Sequence, residues 1–291
     1  MSGARLSAVW SAVASAATAS STSAMISAAR ILFTGASSGI GRALALALAA
    51  EGARLAVAAR REGELRALAA EIGERGHPVP TVLACDLSVP GAAADLAARA
   101  RDALGGIDVL VSNAGVSLVE ALADLGDGES ARASFETNFW SPLALAAAVL
   151  PGMRAAGSGT IVNVTSTVQA VPLPLLGYYG AAKAALAQAT GSLRHELRHT
   201  PIRVLEVVPG STDTPLRDVD RLPWRAPTRT PPPVPPESVA RATVRALKSG
   251  RRRVVHPAYS LLPLELPVIG RLVASVAARR IDTGGVLVPR R

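Results

Sequence analysis

The chain has 291 residues, 49% of them hydrophobic, so it can bury the core of one large α/β domain or two small ones, and it is not an intrinsically disordered protein. A single cysteine, Cys85, excludes an internal disulfide framework and fits a reducing compartment; it ends an apolar run and is expected as a small buried hydrophobe. The formal charge of +9 is concentrated, because residues 241–291 hold eleven Lys and Arg against two acids and the first 240 residues are neutral. Such a basic segment suits an anionic membrane surface, a nucleic acid or plain solvation. No nucleic-acid motif accompanies it, so nucleic acid is set aside, and peripheral membrane contact stands as an expectation beside the solvated face.

Residues 1–29 are rich in Ala and Ser. Residues 6–29 are uncharged, yet nine of those 24 are Ser or Thr, poor material for a membrane span, and a disordered extension is expected. From residue 30 onward, short apolar runs alternate with Ala- and Leu-rich stretches of helical length. Six runs are predicted strands: RILFT (30–34), RLAVAA (54–59), PTVLAC (80–85), IDVLVS (107–112), TIVNVT (160–165) and IRVLEVV (202–208). They are too continuously apolar to be half-exposed, which indicates parallel strands covered by helices on both faces. A doubly wound α/β sheet follows, with ligands beyond the carboxyl ends of the strands.

Residues 211–236 carry eight prolines and neither helical nor strand period, so they are expected to form a long functional loop, a substrate lid with Leu216, Leu222 and Trp224. Residues 254–278 are apolar but broken by Pro257, Pro263 and Pro267, which argues against one straight membrane helix. That segment is left to cover the cleft, form a subunit contact or lie in a membrane interface.

The chemistry sits just after the strands. TGASSGIG (34–41) follows the first strand and opens a helix; Gly35, Gly39 and Gly41 allow a tight turn and close backbone approach to a diphosphate drawn to the helix N-terminus. Arg60 and Arg61 follow the second strand, where an acid would bond the 2′-hydroxyl of NAD and arginine accommodates the 2′-phosphate of NADP. Asp86, after the third strand, is placed to meet an adenine amino group or to cap the following helix. NAG (113–115) closes the fourth strand with a small-residue turn.

In GYYGAAK (177–183), Tyr179 and Lys183 are four residues apart and share a helix face, so a cation can favour the phenolate of a tyrosine whose free pKa is about 10. Tyr178 has only Ala182 at the same spacing and is expected in the substrate wall. Ser166, past the fifth strand, is the candidate to bond a substrate carbonyl oxygen, with Thr165 and Thr167 as chemical competitors.

In this order and at these separations, TGASSGIG, SNAG, Asn138 in ETNFW, Ser166 in NVTST, YGAAK and PGSTDT resemble the short-chain dehydrogenase/reductase family over residues 30–255. The resemblance implies a single Rossmann-type domain with Tyr179 as general acid/base. Lys183 lowers its pKa and holds the nicotinamide ribose, Ser166 orients the carbonyl, and Asn138 supports a proton relay. It further implies cofactor contacts from Gly35, Ser37, Ser38, Gly39, Ile40 and Gly41, from Arg60 and Arg61, from Asp86 and Leu87, from Asn113, Ala114 and Gly115, and from Pro209, Gly210, Thr212 and Thr214. NADP(H) is expected over NAD(H), with no metal. Ser112 before NAG, and NVTST in place of a more usual Ser-Ser pair, depart from the family pattern without removing a catalytic group.

The expectation is an NADP(H)-dependent oxidoreductase acting on an apolar carbonyl or alcohol, cytoplasmic or membrane-associated, and a homodimer or homotetramer by resemblance. Residues 256–291 are expected as an apolar, then basic, extension. Within enzymes, a sugar-nucleotide epimerase or dehydratase is the alternative. The contrasting class is a non-catalytic NADP(H) sensor or scaffold, disfavoured by the intact Asn138, Ser166, Tyr179 and Lys183.

Overall fold

The computed structural model describes residues 26–216, 221–225 and 232–283. Seven parallel strands run β1 (Arg30–Thr34), β2 (Arg54–Ala59), β3 (Thr81–Ala84), β4 (Val109–Ser112), β5 (Gly159–Val164), β6 (Ile202–Pro209) and β7 (Arg253–His256), in the spatial order β3-β2-β1-β4-β5-β6-β7. The first six match the predicted strands to within two residues at each end.

Alternation along the strands divides the core. Ile31, Phe33, Leu55, Val57, Val109 and Val111 face one side. There they meet Leu44 and Leu48 of α1 (Gly39–Ala50), Leu65 and Leu68 of α2 (Glu62–Glu74), and Val239 and Leu247 of α8 (Pro236–Lys248). Leu32, Ala56, Leu110 and Ile161 face the other. They pack on Leu96 of α3 (Ala92–Leu104) and on Leu145, Val149 and Met153 of α6 (Ser141–Ala155). The five inner strands are therefore covered on both faces, the arrangement their continuous apolar character demanded.

Two short helices, α4 (Leu122–Leu125) and α5 (Glu129–Phe135), precede a π-helical turn at Glu136–Trp140, and α7 (Gly177–Glu196) follows β5. After β7 come α9 (Leu261–Glu265) and α10 (Pro267–Ala278), which the sequence left among three roles.

Three differences from the sequence reading have physical causes. Strand β7 was not among the predicted runs, because it has only four residues, carries Arg253 and His256 at its ends, and lies half-buried at the sheet edge. Ile26 and Ala29, assigned to the extension, are buried in the core, and the Ala29 carbonyl accepts the Arg54 N–H at 2.9 Å. The rest of that extension, residues 1–25, lies outside the described residues, as do residues 217–220 and 226–231 of the proline-rich loop and 284–291 of the basic tail. Leu222 and Trp224 are not cleft residues: they join Leu176 and Ile281 in a small satellite core.

Candidate active site

Strand order reverses between β1 and β4, and the carboxyl ends of the strands open there into a cleft of about 1000 Å³. Thr34 ties the two strand ends together. Its Oγ1 donates to the Val111 carbonyl at 3.2 Å and accepts the N–H groups of Asn113 and Ala114, each at 3.1 Å. Sequence reasoning passed over Thr34 because a threonine ending a strand has no distinguishing spacing.

The glycine turn follows from that junction. Gly35 adopts φ +72°, a backbone that other residues rarely take, and a Cβ on Gly41 would lie 2.0 Å from the Gly35 carbonyl oxygen. Asn113 Nδ2 donates to the carbonyls of Thr34 and Gly35, both at 3.1 Å, so its side chain holds the turn in shape.

Arg61 Nη2 donates to Ser38 Oγ at 2.8 Å and Ser37 Oγ at 3.0 Å, bridging from the start of α2 to the glycine turn. A cation at a helix N-terminus is unfavourable, and the acids Glu62 and Glu64 in the first turn of α2 offset it. Arg60 lines the same rim. Partial burial alone would raise the Asp86 carboxyl, but hydrogen bonds from the Ser88 N–H (2.9 Å) and hydroxyl (2.7 Å) and the nearby Arg60 charge outweigh it, and the pKa is lowered. Cys85 also reaches the cleft; burial, the largest influence, pushes its thiol up, as befits an unreactive sulfur.

Helix α7 presents Tyr179 and Lys183 to the cleft one turn apart, with the Lys183 Nζ 5.8 Å from the centre of the Tyr179 ring. Lys183 is buried, donates to the Val164 carbonyl at 2.9 Å, and is pushed down to about 8 by desolvation. Gly115 makes room: a Cβ there would approach Lys183 Nζ to 3.6 Å and Asn138 Oδ1 to 3.1 Å.

Ser166 follows β5 with an extended backbone, and its Oγ accepts the Val168 N–H at 3.4 Å, which leaves its own proton to donate. Thr165 is removed from the competition. It is buried, and its Oγ1 lies 3.1 Å from Glu206 Oε1 and 3.3 Å from the Val207 carbonyl. Thr167 remains on the cleft wall. Glu206 itself is buried; Oε1 also accepts from Gln169 Nε2 at 3.3 Å, and Oε2 pairs with Arg253 Nε at 3.2 Å. A carboxylate inside the run IRVLEVV was the available signal for this network.

All the named cofactor positions line this one cleft, as do Ser166, Tyr179 and Lys183. Asn138 does not. It is fully buried in the π-helical turn, its Nδ2 donating to the carbonyls of Val116 (2.7 Å) and Ser134 (2.9 Å) and its Oδ1 accepting the Val116 N–H at 3.3 Å. Tyr178 is likewise corrected: it is buried outside the cleft, and its hydroxyl donates to the Gly126 carbonyl at 2.7 Å, bracing α4 instead of forming substrate wall. That wall is built from Val171, Leu173, Leu176 and Leu216, and from Tyr259, Leu262, Ile269 and Val273 of the C-terminal segment. The last four carried no signal beyond general apolarity.

Residues 29–222 match the family model described as short chain dehydrogenase. The chain belongs to the short-chain dehydrogenase/reductase family of oxidoreductases. It is 32% identical over 239 residues to 11-beta-hydroxysteroid dehydrogenase A of Sesamum indicum, an alignment covering 79% of this chain and 68% of the relative. A metagenomic short-chain oxidoreductase solved in complex with NADP is 32% identical, with a TM-score of 0.67 over 79% of this chain and 97% of its own. A short chain dehydrogenase/reductase of Burkholderia phymatum solved with NAD is 25% identical, with a TM-score of 0.73 over 84% of this chain and 96% of its own.

Proposed function

We propose that the protein interconverts a carbonyl and a secondary alcohol with NADP(H), and that Tyr179 is the general acid/base. The observation that carries this reading is Tyr179 beside buried Lys183 on one wall of a cleft that also holds Ser166 and the glycine turn. In the reductive direction, Ser166 Oγ donates a hydrogen bond to the substrate oxygen and Tyr179 delivers a proton to it. The ammonium of Lys183 stabilises the phenolate left behind and reaches toward the cofactor ribose. Asn138 holds the Val116 segment beside Lys183, supporting a proton relay from behind the cleft wall. When bound, the nicotinamide donates or accepts the hydride at the substrate carbon.

The donors present fit a dinucleotide whose ribose carries a phosphate. Arg61 meets the Ser37 and Ser38 hydroxyls and Arg60 lines the same rim, a polar cationic corner with no acid to receive a 2′-hydroxyl except Asp86, whose Oδ1 is occupied by Ser88. Solved relatives hold either NADP or NAD, so the preference rests on these arginines. Arg60→Ala with Arg61→Ala should weaken NADPH binding at least about tenfold more than NADH binding, read by titration of cofactor fluorescence. Equal losses would remove the NADP assignment.

The substrate is apolar. Val171, Leu173, Leu176, Leu216, Ile269 and Val273 surround its end of the cleft, and the hydroxysteroid in the name of the sesame relative is a bulky compound of that kind. The assembly is a homodimer or homotetramer in the cytoplasm or at a membrane. Oxidation of NADPH with a panel of ketones, quinones, aldehydes and acyl thioesters tests reaction and substrate class together. Tight cofactor binding without turnover across the panel would favour a sensor instead.

A further inference from the structure

Helices α9 and α10 leave a large apolar surface at the mouth of the cleft. Val268 is 69% exposed, Leu272 62% and Leu262 55%, with Tyr259, Leu261, Leu266 and Val276 also exposed. Val268, Leu272 and Val276 are spaced i, i+4, i+8 and form one stripe along α10. The opposite face is held to the protein: Gly270 and Ala274 are buried, and a Cβ on Gly270 would meet the Ala170 carbonyl oxygen at 2.6 Å. The stripe is therefore a built outer surface of an anchored helix, larger in aggregate than the scattered apolar residues normal for a soluble surface.

The charge beside the stripe is predominantly positive. Arg271, Arg279 and Arg280 are exposed on or just after α10, and no acid among the described residues pairs with them. The nearby acids are engaged elsewhere, Glu265 with Arg253 and Asp282 with Arg225. An apolar stripe flanked by arginines complements the acyl-chain boundary and headgroups of an anionic bilayer. Among the described residues no single helix is long and apolar enough to cross a membrane, and the chain bends by 102° between Ala258–Glu265 and Pro267–Ala278. The bend, and the anchoring of α10 to the body through Gly270 and Ala274, suit a pair that lies along a surface. A second copy is a poorer occupant, because in a two-fold contact the patch meets itself and sets the arginines of both copies together.

We propose that the outer faces of α9 and α10 dock on an anionic lipid bilayer and bring the cleft mouth to the edge of the hydrocarbon layer. Tyr259, Leu262 and Val273 are both exposed and part of the cleft wall, so the apolar surface continues from the docking face into the cleft. An apolar substrate dissolved in the membrane then enters without crossing water. This route rests on the apolar-substrate reading above; docking itself does not depend on turnover.

The test is flotation of the full chain with phosphatidylcholine vesicles, with and without phosphatidylserine. The protein is expected to float with the phosphatidylserine vesicles, more weakly in raised salt. The combined variant Val268→Ser, Leu272→Asp, Val276→Ser, none of which lines the cleft, should lose more than about tenfold in partitioning while retaining NADPH binding. Arg271→Gln with Arg279→Gln and Arg280→Gln should abolish the preference for phosphatidylserine. Hydrogen exchange on the unaltered protein should slow across residues 261–276 when those vesicles are added. Failure of the unaltered protein to float, or unchanged flotation of the apolar variant, overturns the proposal. So does a variant that turns an oligomer into a monomer while vesicles are ignored, which would assign the face to a second copy. Flotation without turnover on any carbonyl would leave docking intact and remove the hydride-transfer reading alone.

Discussion

Two adjacent tyrosines on one helix turn have opposite surroundings. Tyr179 faces the cleft beside Lys183, whereas Tyr178 points away and closes a hydrogen bond to the Gly126 carbonyl. Tyr179→Phe should reduce turnover by at least about 10³-fold with cofactor binding retained, since only the proton-transferring group is lost. Tyr178→Phe should leave turnover largely intact and cost about 1 kcal/mol of stability, measured by urea denaturation, because the hydrogen bond that ties α7 to the end of α4 is lost. Lys183 shows the cost of building the site. Its folded-state pKa of about 8 lies below the ordinary lysine value of 10.5, so below pH 8 the fold carries a buried charge that the unfolded chain would solvate. Between pH 8 and 10.5 the unfolded state binds more protons, and this penalty shrinks as pH rises. Lys183→Met should therefore lose activity yet melt a few degrees higher at pH 7, by about 2 kcal/mol before relaxation, and the gain should fade above pH 8. A melting temperature that drops at every pH would show that the Val164 contact matters more than the desolvation.

At the scale of elements, the glycine turn depends on a contact between two strand ends. A Cβ on Gly41 in α1 would collide with the Gly35 carbonyl and with Asn113 Nδ2, the group after β4 that holds that same carbonyl. Gly41→Ala should displace the turn, weaken NADPH binding by about tenfold or more and destabilise the fold by about 1–3 kcal/mol, seen by calorimetry with and without cofactor. The π-helical turn does analogous work for β4: it turns Asn138 inward to bind Val116, so the residue supports the cleft from behind. Its buried position was not legible in ETNFW, because an inserted residue in a helix is a tertiary accommodation with little local signature.

Across the whole molecule, charge and apolar surface are unevenly shared. The net positive charge resides in residues 241–291, and the exposed large hydrophobics of α9 and α10 occur in the same stretch. Strand β7 joins that stretch to the sheet through Arg253, which pairs with buried Glu206 and also with Glu265 of α9. Glu206 in turn accepts from Thr165, next to Ser166, so the cleft floor and its C-terminal rim share one ionic network. Removing the chain after residue 252 would therefore strip the edge strand as well as the rim, and point substitutions on the outer face of α10 separate surface binding from folding where truncation cannot.

By itself, the sequence determined the alternation of strands and helices, the glycine turn, the arginine pair and the Tyr179–Lys183 spacing. These are local signals: apolar run length, special backbone freedom and helical period act over a few residues. The tertiary structure decided which side chains face inward. It engaged the Thr165 hydroxyl with a carboxylate 41 positions away in sequence, took Tyr178 out of the cleft through a hydrogen bond to a carbonyl 52 positions away, and put Asn138 behind it. It also brought Ile269 and Val273 onto the cleft while their neighbours Val268 and Leu272 faced outward. A helix apolar on most of its surface does not announce which face it will bury; the body it packs against makes that choice.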